Sequence, residues 1–300
     1  MQKSHTLTRG LFDSKMLRSL AFLWLLLSSL GCGDRETVSA KSQKQAADQN
    51  DIQITVVYDN NPFDQRLQTA LGFACLVEGT EKTILFDTGD NGETLLSNMR
   101  KLAIKPIHVD TVVISHAHHD HYGGLADFLG HNSNVTVYLP KSFPAQIKQM
   151  VTKSGAQVIE VHQPIRICRA VYSTSELGSG IKEQSLVVQT ENGLIVISGC
   201  AHPGIVNIIK QAKAQLAQNV YMALGGFHLL GKSREQIEQI VHQTREAWVR
   251  TVGPCHCSGD MARHLFRQAY GDNFYPFGVG YKLCLSKKKF SDLELQVIGK

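Results

Sequence analysis

The chain has no Walker-type glycine-rich phosphate loop and no Gly-x-Ser-x-Gly elbow. These absences remove the usual sequence grounds for a P-loop nucleotide hydrolase or a serine hydrolase. It has seven cysteines but no Cys-x-x-Cys pair, which excludes a structural four-cysteine zinc site. The cysteine spacing is not that of a small disulfide framework either. Excess charge is also scarce. The formal net charge is +5, but Lys3, Arg9, Lys15 and Arg18 fall in the first 31 residues against Asp13 alone. Without that segment Lys and Arg drop from 31 to 27 and Asp and Glu from 26 to 25, leaving about +2. A nucleic-acid surface has no support in such a balance. The run Lys287-Lys288-Lys289 reads as a solvated turn. No repeat of short period is visible, and no apolar run reaches the roughly 20 residues of a membrane-spanning helix.

What is present at the start is a targeting pattern. Lys15 and Arg18 precede the apolar run Leu20–Leu27, and Ser28-Ser29-Leu30-Gly31 leads to Cys32. Residues 1–31 therefore read as a signal peptide, more compact if Met16 is the start. Cys32 resembles the modified cysteine of a bacterial lipoprotein, although Ser29 and Leu30 stand where leucine and a small residue are usual. The expectation is an exported bacterial protein, periplasmic or held at the membrane only through an N-terminal lipid anchor. Residues 32–50, rich in Ser, Ala, Gln, Lys and Asp, read as a flexible tether. With 43% apolar and 19% charged residues, the chain has the composition of a soluble globular protein with a sizeable core. Residues 51–300 are assigned to that domain.

Strands are expected at Ile52–Tyr58, then as a hairpin from Leu71–Glu78 to Thr83–Phe86, and at Val109–Ile114, Val135–Leu139 and Gln157–Val161. Helices are expected at Thr94–Leu102, Leu125–Leu129 and Phe143–Lys153. A second series has strands at Ile165–Tyr172, Gln184–Thr190, Leu194–Ser198 and Val220–Leu224, and helices at Ile205–Gln218, Arg234–Val249 and Met261–Tyr270. Closing strands are read near Gly278–Leu285 and Leu293–Val297. Sheet and helices followed by sheet and helices predict an α+β fold. The expected architecture is an αββα sandwich of two mixed β-sheets with helices on the outer faces.

The densest chemistry is Ser115–Gly124, SHAHHDHYGG, directly after the strand Val109–Ile114. Six residues hold His116, His118, His119, Asp120 and His121. In extended chain His116 and His118 point the same way. Asp120 and His121 follow as a second pair. Imidazole and carboxylate donors on a tight turn suit zinc, iron or manganese. A solvated histidine tract is the bland alternative, and the pairing argues against it.

Three further stretches join it: Leu85–Gly89 (LFDTG), Ser198–Gly204 (SGCAHPG) and Pro254–Gly259 (PCHCSG). With SHAHHDHYGG, these resemble the metallo-β-lactamase superfamily over about residues 52–285. The block Gly225–Leu229 (GGFHL) narrows the resemblance to the branch of 7,8-dihydropterin-6-methyl-4-(β-D-ribofuranosyl)aminobenzene-5′-phosphate synthase. The resemblance implies two divalent metal ions, zinc with iron or manganese as alternatives, at the edges of the two sheets. It implies that His116 and His118 bind the first ion and that Asp120 and His121 bind the second. His119 then makes an outer contact, and Asp87 orients the loop from behind or merely caps a turn. Many members place an aspartate at the position of Cys200, and one class of zinc β-lactamases places a cysteine there. Cys200 is thus a thiolate ligand or a buried neighbour. The family's third histidine usually lies upstream, where this chain has Ile181–Ser185 without one, so His202 is taken to supply it. His256 matches the late histidine ligand. Cys255 and Cys257, which flank it, are read as packing thiols. His228 is a candidate general acid or a non-catalytic histidine.

The resemblance implies a hydroxide held between two metals and attacking an ester, phosphoester or related small-molecule substrate, with Asp120 moving a proton. A synthase-like transferase and a metal-binding protein without turnover are the competing readings. The missing upstream histidine argues against β-lactams as the substrate.

Overall fold

Alternating β-branched residues build the sheets. Ile54 and Val56 turn one way along the first strand, Val57 and Tyr58 contribute to the opposite face, and all four are fully buried. The computed structural model describes residues 51–285. The targeting segment, Cys32, the tether, Lys287–Lys289 and the strand expected at Leu293–Val297 lie outside the described residues. Strands run as β1 (Ile52–Asp59), β2 (Phe73–Glu78), β3 (Ile84–Phe86), β4 (Thr111–Val113), β5 (Thr136–Pro140), β6 (Gln157–Val161), β7 (Ile165–Cys168), β8 (Val171–Ser173), β9 (Leu186–Thr190), β10 (Gly193–Ser198), β11 (Val220–Gly226), β12 (Thr251–Cys255) and β13 (Lys282–Leu285). Helices are α1 (Gly92–Lys101), the single turn α2 (His119–Tyr122), α3 (Leu125–His131), α4 (Ala145–Lys153), α5 (Ile205–Leu216), α6 (Arg234–Glu246) and α7 (Asp260–Tyr270).

The first sheet has the order β13-β1-β2-β3-β4-β5-β6 and the second β12-β11-β10-β9-β8-β7. Both are mixed: β3 to β6 are mutually parallel, as are β10 to β12, and the other pairs are antiparallel. Between the sheets lies a core that includes Phe73, Phe86, Ile195, Met222 and Phe277. Leu85, Val112, Leu95 and Phe128 join the outer face of the first sheet to its helices. Val196, Ala223, Ile209, Ile237 and Phe266 do the same for the second. Each of these side chains except that of Ala223 contributes roughly 1.5–3 kcal/mol on burial. The α+β sandwich of layers αββα is therefore the observed fold.

Two expectations are corrected. The strand read as Ile165–Tyr172 is a hairpin, β7 and β8, joined through Arg169 and Ala170. Ala170 carries the turn at φ 61°, without the glycine or asparagine that normally marks one. The expected helix from Phe143 starts at Ala145, after Pro144 at the cap position.

The two sheets are tied together beside the site by Gln184. Its amide donates to the carbonyls of Ile114 (2.8 Å) and Tyr138 (3.1 Å) and accepts from Ser173 Oγ (2.7 Å). Its backbone N–H donates to the Ser115 carbonyl at 2.9 Å. A fully buried amide so satisfied fixes the register of the two layers where the functional loops emerge.

Candidate metal centre

Five loops leave the carboxyl ends of strands and meet. Asp87 follows β3, Ser115–His121 follow β4, Cys200 and His202 follow β10, His228 follows β11, and His256 follows β12. Beyond the carboxyl ends of parallel strands the backbone is free to turn, which is where such folds gather ligands. His118 remains extended (φ −93°, ψ 141°), and the helical turn of α2 begins at His119. This change of conformation separates the two donor pairs of the histidine tract.

The donor atoms of His116, His118 and His202 lie within 4.8 Å of one another, and so do those of Asp120, His121 and His256. His116 Nε2 and His202 Nε2 are 3.2 Å apart. Asp120 Oδ2 is 3.4 Å from His256 Nε2 and 3.6 Å from His121 Nε2. Ligands about 2.0–2.2 Å from a tetrahedral zinc ion are themselves about 3.3–3.6 Å apart. The donor spacing therefore fits divalent ions.

The hydrogen bonds behind the rings aim them. His121 Nδ1 is 2.7 Å from Asp87 Oδ2. Asp87 also accepts from the Ser115 N–H (2.6 Å) and Oγ (2.7 Å), and Ser115 Oγ lies 2.9 Å from His116 Nδ1. Asn60 donates its amide to the His256 carbonyl at 3.2 Å, so its Oδ1 accepts from His256 Nδ1 at 2.7 Å. The Nδ1–H groups of His116, His121 and His256 are thereby engaged, and their Nε2 lone pairs face the centre. His256 Nε2 is buried with no hydrogen-bond partner. Such an orphan costs about 1–3 kcal/mol, which a cation at that point would offset.

Electrostatics agree. Burial, then the neighbouring imidazoles, pushes His116 well below the usual histidine range and His202 down to about 4. Burial also lowers His118. Neutral rings are what a metal requires. Burial opposes a charge on His121, but Asp87, Asp120 and Glu183 outweigh it and raise its pKa. For Asp120 burial is likewise outweighed, by His256 and His121, and its pKa falls to about 2.

Glu183 is the group that the motifs do not mark, because Ile181–Ser185 holds no histidine. Only 1% exposed, its carboxylate accepts the backbone N–H groups of Cys200 (3.0 Å), Ala201 (2.9 Å) and His202 (2.8 Å). It thus shapes the loop that carries His202 into the first triad, with Ala201 held at φ 57°. A carboxylate three residues ahead of the apolar run Leu186–Val188 is the available signal, since an acid entering a core needs partners.

Cys200 sits centrally. Its Sγ is 3.2 Å from His121 Nε2, and it shares donor groups with His116, His202, His228 and His256. Cys255 packs as expected, fully buried. Cys257 does not. His256 has φ 47° and opens a 3-10 turn, so Cys257 does not point away from His256 as it would in extended chain, and its Sγ lies 3.3 Å from Cys200 Sγ. His228 is exposed at the rim, its ring 4.4 Å from that of His202. His119 meets Tyr122 edge to face, outside both triads. Two open hollows flank His202. One, of about 540 Å³, is lined in part by Leu177, Ile181 and Asn207, and one of about 340 Å³ by Lys210, Phe227, His228 and Lys232.

Comparison with known proteins agrees with this geometry. The family model of the metallo-β-lactamase superfamily matches residues 70–208. The chain is 29% identical over 268 residues to the 7,8-dihydropterin-6-methyl-4-(β-D-ribofuranosyl)-aminobenzene-5′-phosphate synthase of Methanocaldococcus jannaschii, covering 74% of this chain and 90% of that protein. The crystal structure of a metal-dependent hydrolase of the β-lactamase superfamily matches with TM-score 0.67 and 30% identity, covering 78% of this chain and 99% of that one. The metallo-β-lactamase fold protein YhfI from Bacillus subtilis matches in fold, with TM-score 0.59 at 14% identity over 78% of this chain and 99% of its own.

Proposed function

The chain belongs to the metallo-β-lactamase superfamily, and from that premise we propose that it is a metal-dependent hydrolase of a small-molecule ester, phosphoester or related substrate. The observation that carries this reading is the pair of facing triads, His116/His118/His202 and Asp120/His121/His256, with His256 Nε2 buried without a hydrogen bond beside the Asp120 carboxylate. In this reading the first triad holds one divalent ion and the second holds the other, with Cys200 between them. Two such ions would supply Lewis acidity and a water acidified to a pKa of about 7. Asp120, ionised and 22% exposed at its side chain, receives a proton from the attacking water. His228 gives a proton to the leaving oxygen. In the metal-free protein its hydrogen bond to Cys257 raises its pKa against the opposing effect of burial. Asp87, Asn60 and Glu183 hold the donors in place. The targeting pattern ahead of Cys32 supports a periplasmic or lipid-anchored site of action.

The relative from M. jannaschii favours a second reading, a synthase-like transferase. An exported location speaks against pterin synthesis in the cytoplasm. One experiment separates the readings: metal analysis of protein purified without chelator, with a turnover screen of phosphodiesters, lactones, β-lactams and pterin phosphates. Hydrolysis of an ester or phosphodiester that is lost in His118→Ala and His256→Ala supports the proposal. The loss should exceed the roughly 10–100-fold typical of outer partners. Transfer chemistry on the pterin phosphate favours the second reading. Bound metal without turnover favours a binding role. Protein free of metal sinks all three.

A further inference from the structure

We propose that Cys257, together with Cys200, is a sulfur donor to the metal pair, so that the centre is built for thiophilic ions such as zinc or ferrous iron. The inference rests on the reading of the two triads as metal sites and adds to it a residue that the superfamily resemblance does not supply.

Four observations carry it. The two sulfurs are 3.3 Å apart, far beyond the roughly 2.05 Å of a disulfide bond, and both cysteines are free. Cys257 Sγ lies within 4.8 Å of both the Cys200 sulfur and the His256 donor nitrogen, while Cys200 Sγ also approaches His121 Nε2 to 3.2 Å. With zinc–sulfur bonds of about 2.3 Å and zinc–nitrogen bonds of about 2.0–2.1 Å, two sulfurs on one tetrahedral ion stand about 3.8 Å apart and a sulfur and a nitrogen about 3.5 Å, so a parting of a few tenths of an ångström seats these donors on an ion.

The backbone around the sulfurs is shaped for this approach. A Cβ at Gly226 would stand 2.2 Å from the Gly199 carbonyl oxygen, 2.8 Å from Cys257 Sγ and 3.1 Å from Cys200 Cα, so only glycine admits the two cysteines side by side. His256, immediately before Cys257, takes the left-handed conformation at φ 47°. That turn brings Cys257 inward, and a bulky residue holds it only against a conformational cost.

Charge balance points the same way. The five histidines of the triads coordinate as neutral rings, and Asp120 is the only anionic member of either triad. Two divalent ions bring four positive charges to a site whose Cys200 is 4% exposed. Two thiolates would lower that imbalance where water cannot, and coordination deprotonates a thiol outright. Soft sulfur then selects against magnesium, calcium and manganese, which prefer oxygen. Cys200 lies between the two donor sets, and Cys257 extends the set containing His256.

The test uses the full chain, purified under reducing conditions, stripped and reloaded with cobalt(II) or zinc. The cobalt form should show near-ultraviolet sulfur-to-metal charge-transfer absorption. Cys257→Ser should lose about half of that absorption and Cys200→Ser a comparable share, whereas Cys284→Ser should leave it unchanged. In the unmutated protein, zinc should protect Cys257, the more accessible of the two sulfurs, from iodoacetamide, and the stripped protein should alkylate there. This arm needs no variant to fold. Cobalt bound without a sulfur band, or equal alkylation of Cys257 with and without zinc, overturns the inference while leaving the triads standing. A Cys200–Cys257 disulfide in the loaded protein overturns it too. Failure of the unmutated chain to take up any metal overturns both this inference and the reading beneath it.

Discussion

Replacing Glu183 by glutamine keeps the shape of the side chain and changes its hydrogen-bond chemistry. Glu183 accepts the Cys200 and Ala201 N–H groups on one oxygen and the His202 N–H on the other. The amide of Glu183→Gln keeps its carbonyl where two donors point and presents its NH₂ to the third. One charge-assisted bond at 2.8 Å is lost, and two donors are forced together in a site that is 1% exposed. Loss of such a bond costs about 1.5–3 kcal/mol. Part of this is recovered, because burial already disfavours the Glu183 charge and raises its pKa. A net cost of about 1–2 kcal/mol falls on the loop that positions His202. Metal affinity should drop roughly 10–100-fold, the usual effect of removing a partner behind a ligand. The ion between His116, His118 and His202 should be the weakened one. Competition with a chromophoric chelator measures that affinity, and urea unfolding of the metal-free protein measures the fold. Glu183→Ala, which leaves three N–H groups unpaired, should lose more. Unchanged affinity in both variants, with the fold intact, would refute the assignment of this carboxylate as the loop's anchor.

Asn60→Ala removes the acceptor of His256 Nδ1. It should weaken the ion beside Asp120 and His256 by roughly 10–100-fold while sparing the other, so stoichiometry at limiting metal should fall towards one per chain. Gly226→Ala places a Cβ 2.2 Å from the Gly199 carbonyl oxygen. Urea unfolding should show a loss of about 1–3 kcal/mol, the range for overpacking. The metal-free protein should be acid-sensitive. An unfolded histidine titrates near about 6.5, whereas folded His202 titrates at about 4 and His116 and His118 are also lowered. Protons then favour the unfolded chain, so this stability is full above about pH 6.5 and fades as pH falls towards about 4. His121, whose pKa is raised, works in the opposite direction. Circular dichroism during acid titration checks the sign, and a protein that gains stability over that window contradicts it.

The layer order was legible because period-two alternation and the strand–helix sequence are local properties. The hairpin at Arg169-Ala170 was not, because nothing local marks an alanine at φ 61° as a turn. The histidine tract was legible for a related reason: its two donor pairs lie within six residues, and extended chain followed by one helical turn separates them. His202 and His256 were read from their motifs, and the fold brings each to its triad.

Sequence pattern alone thus indicated the sandwich, and the family resemblance named the six candidate donors that the fold gathers into two groups, since both rest on short-range pattern and on motifs contiguous in the chain. Only the tertiary structure decided what stands behind and between those donors. Glu183 reaches across 17 to 19 residues to three backbone N–H groups, Asn60 reaches 196 residues to His256, and Cys257 meets Cys200 across 57. The physical reason is that a hydrogen bond or a sulfur contact of about 3 Å depends on where loops from two sheets come to rest. Spacing along a single loop carries no record of that.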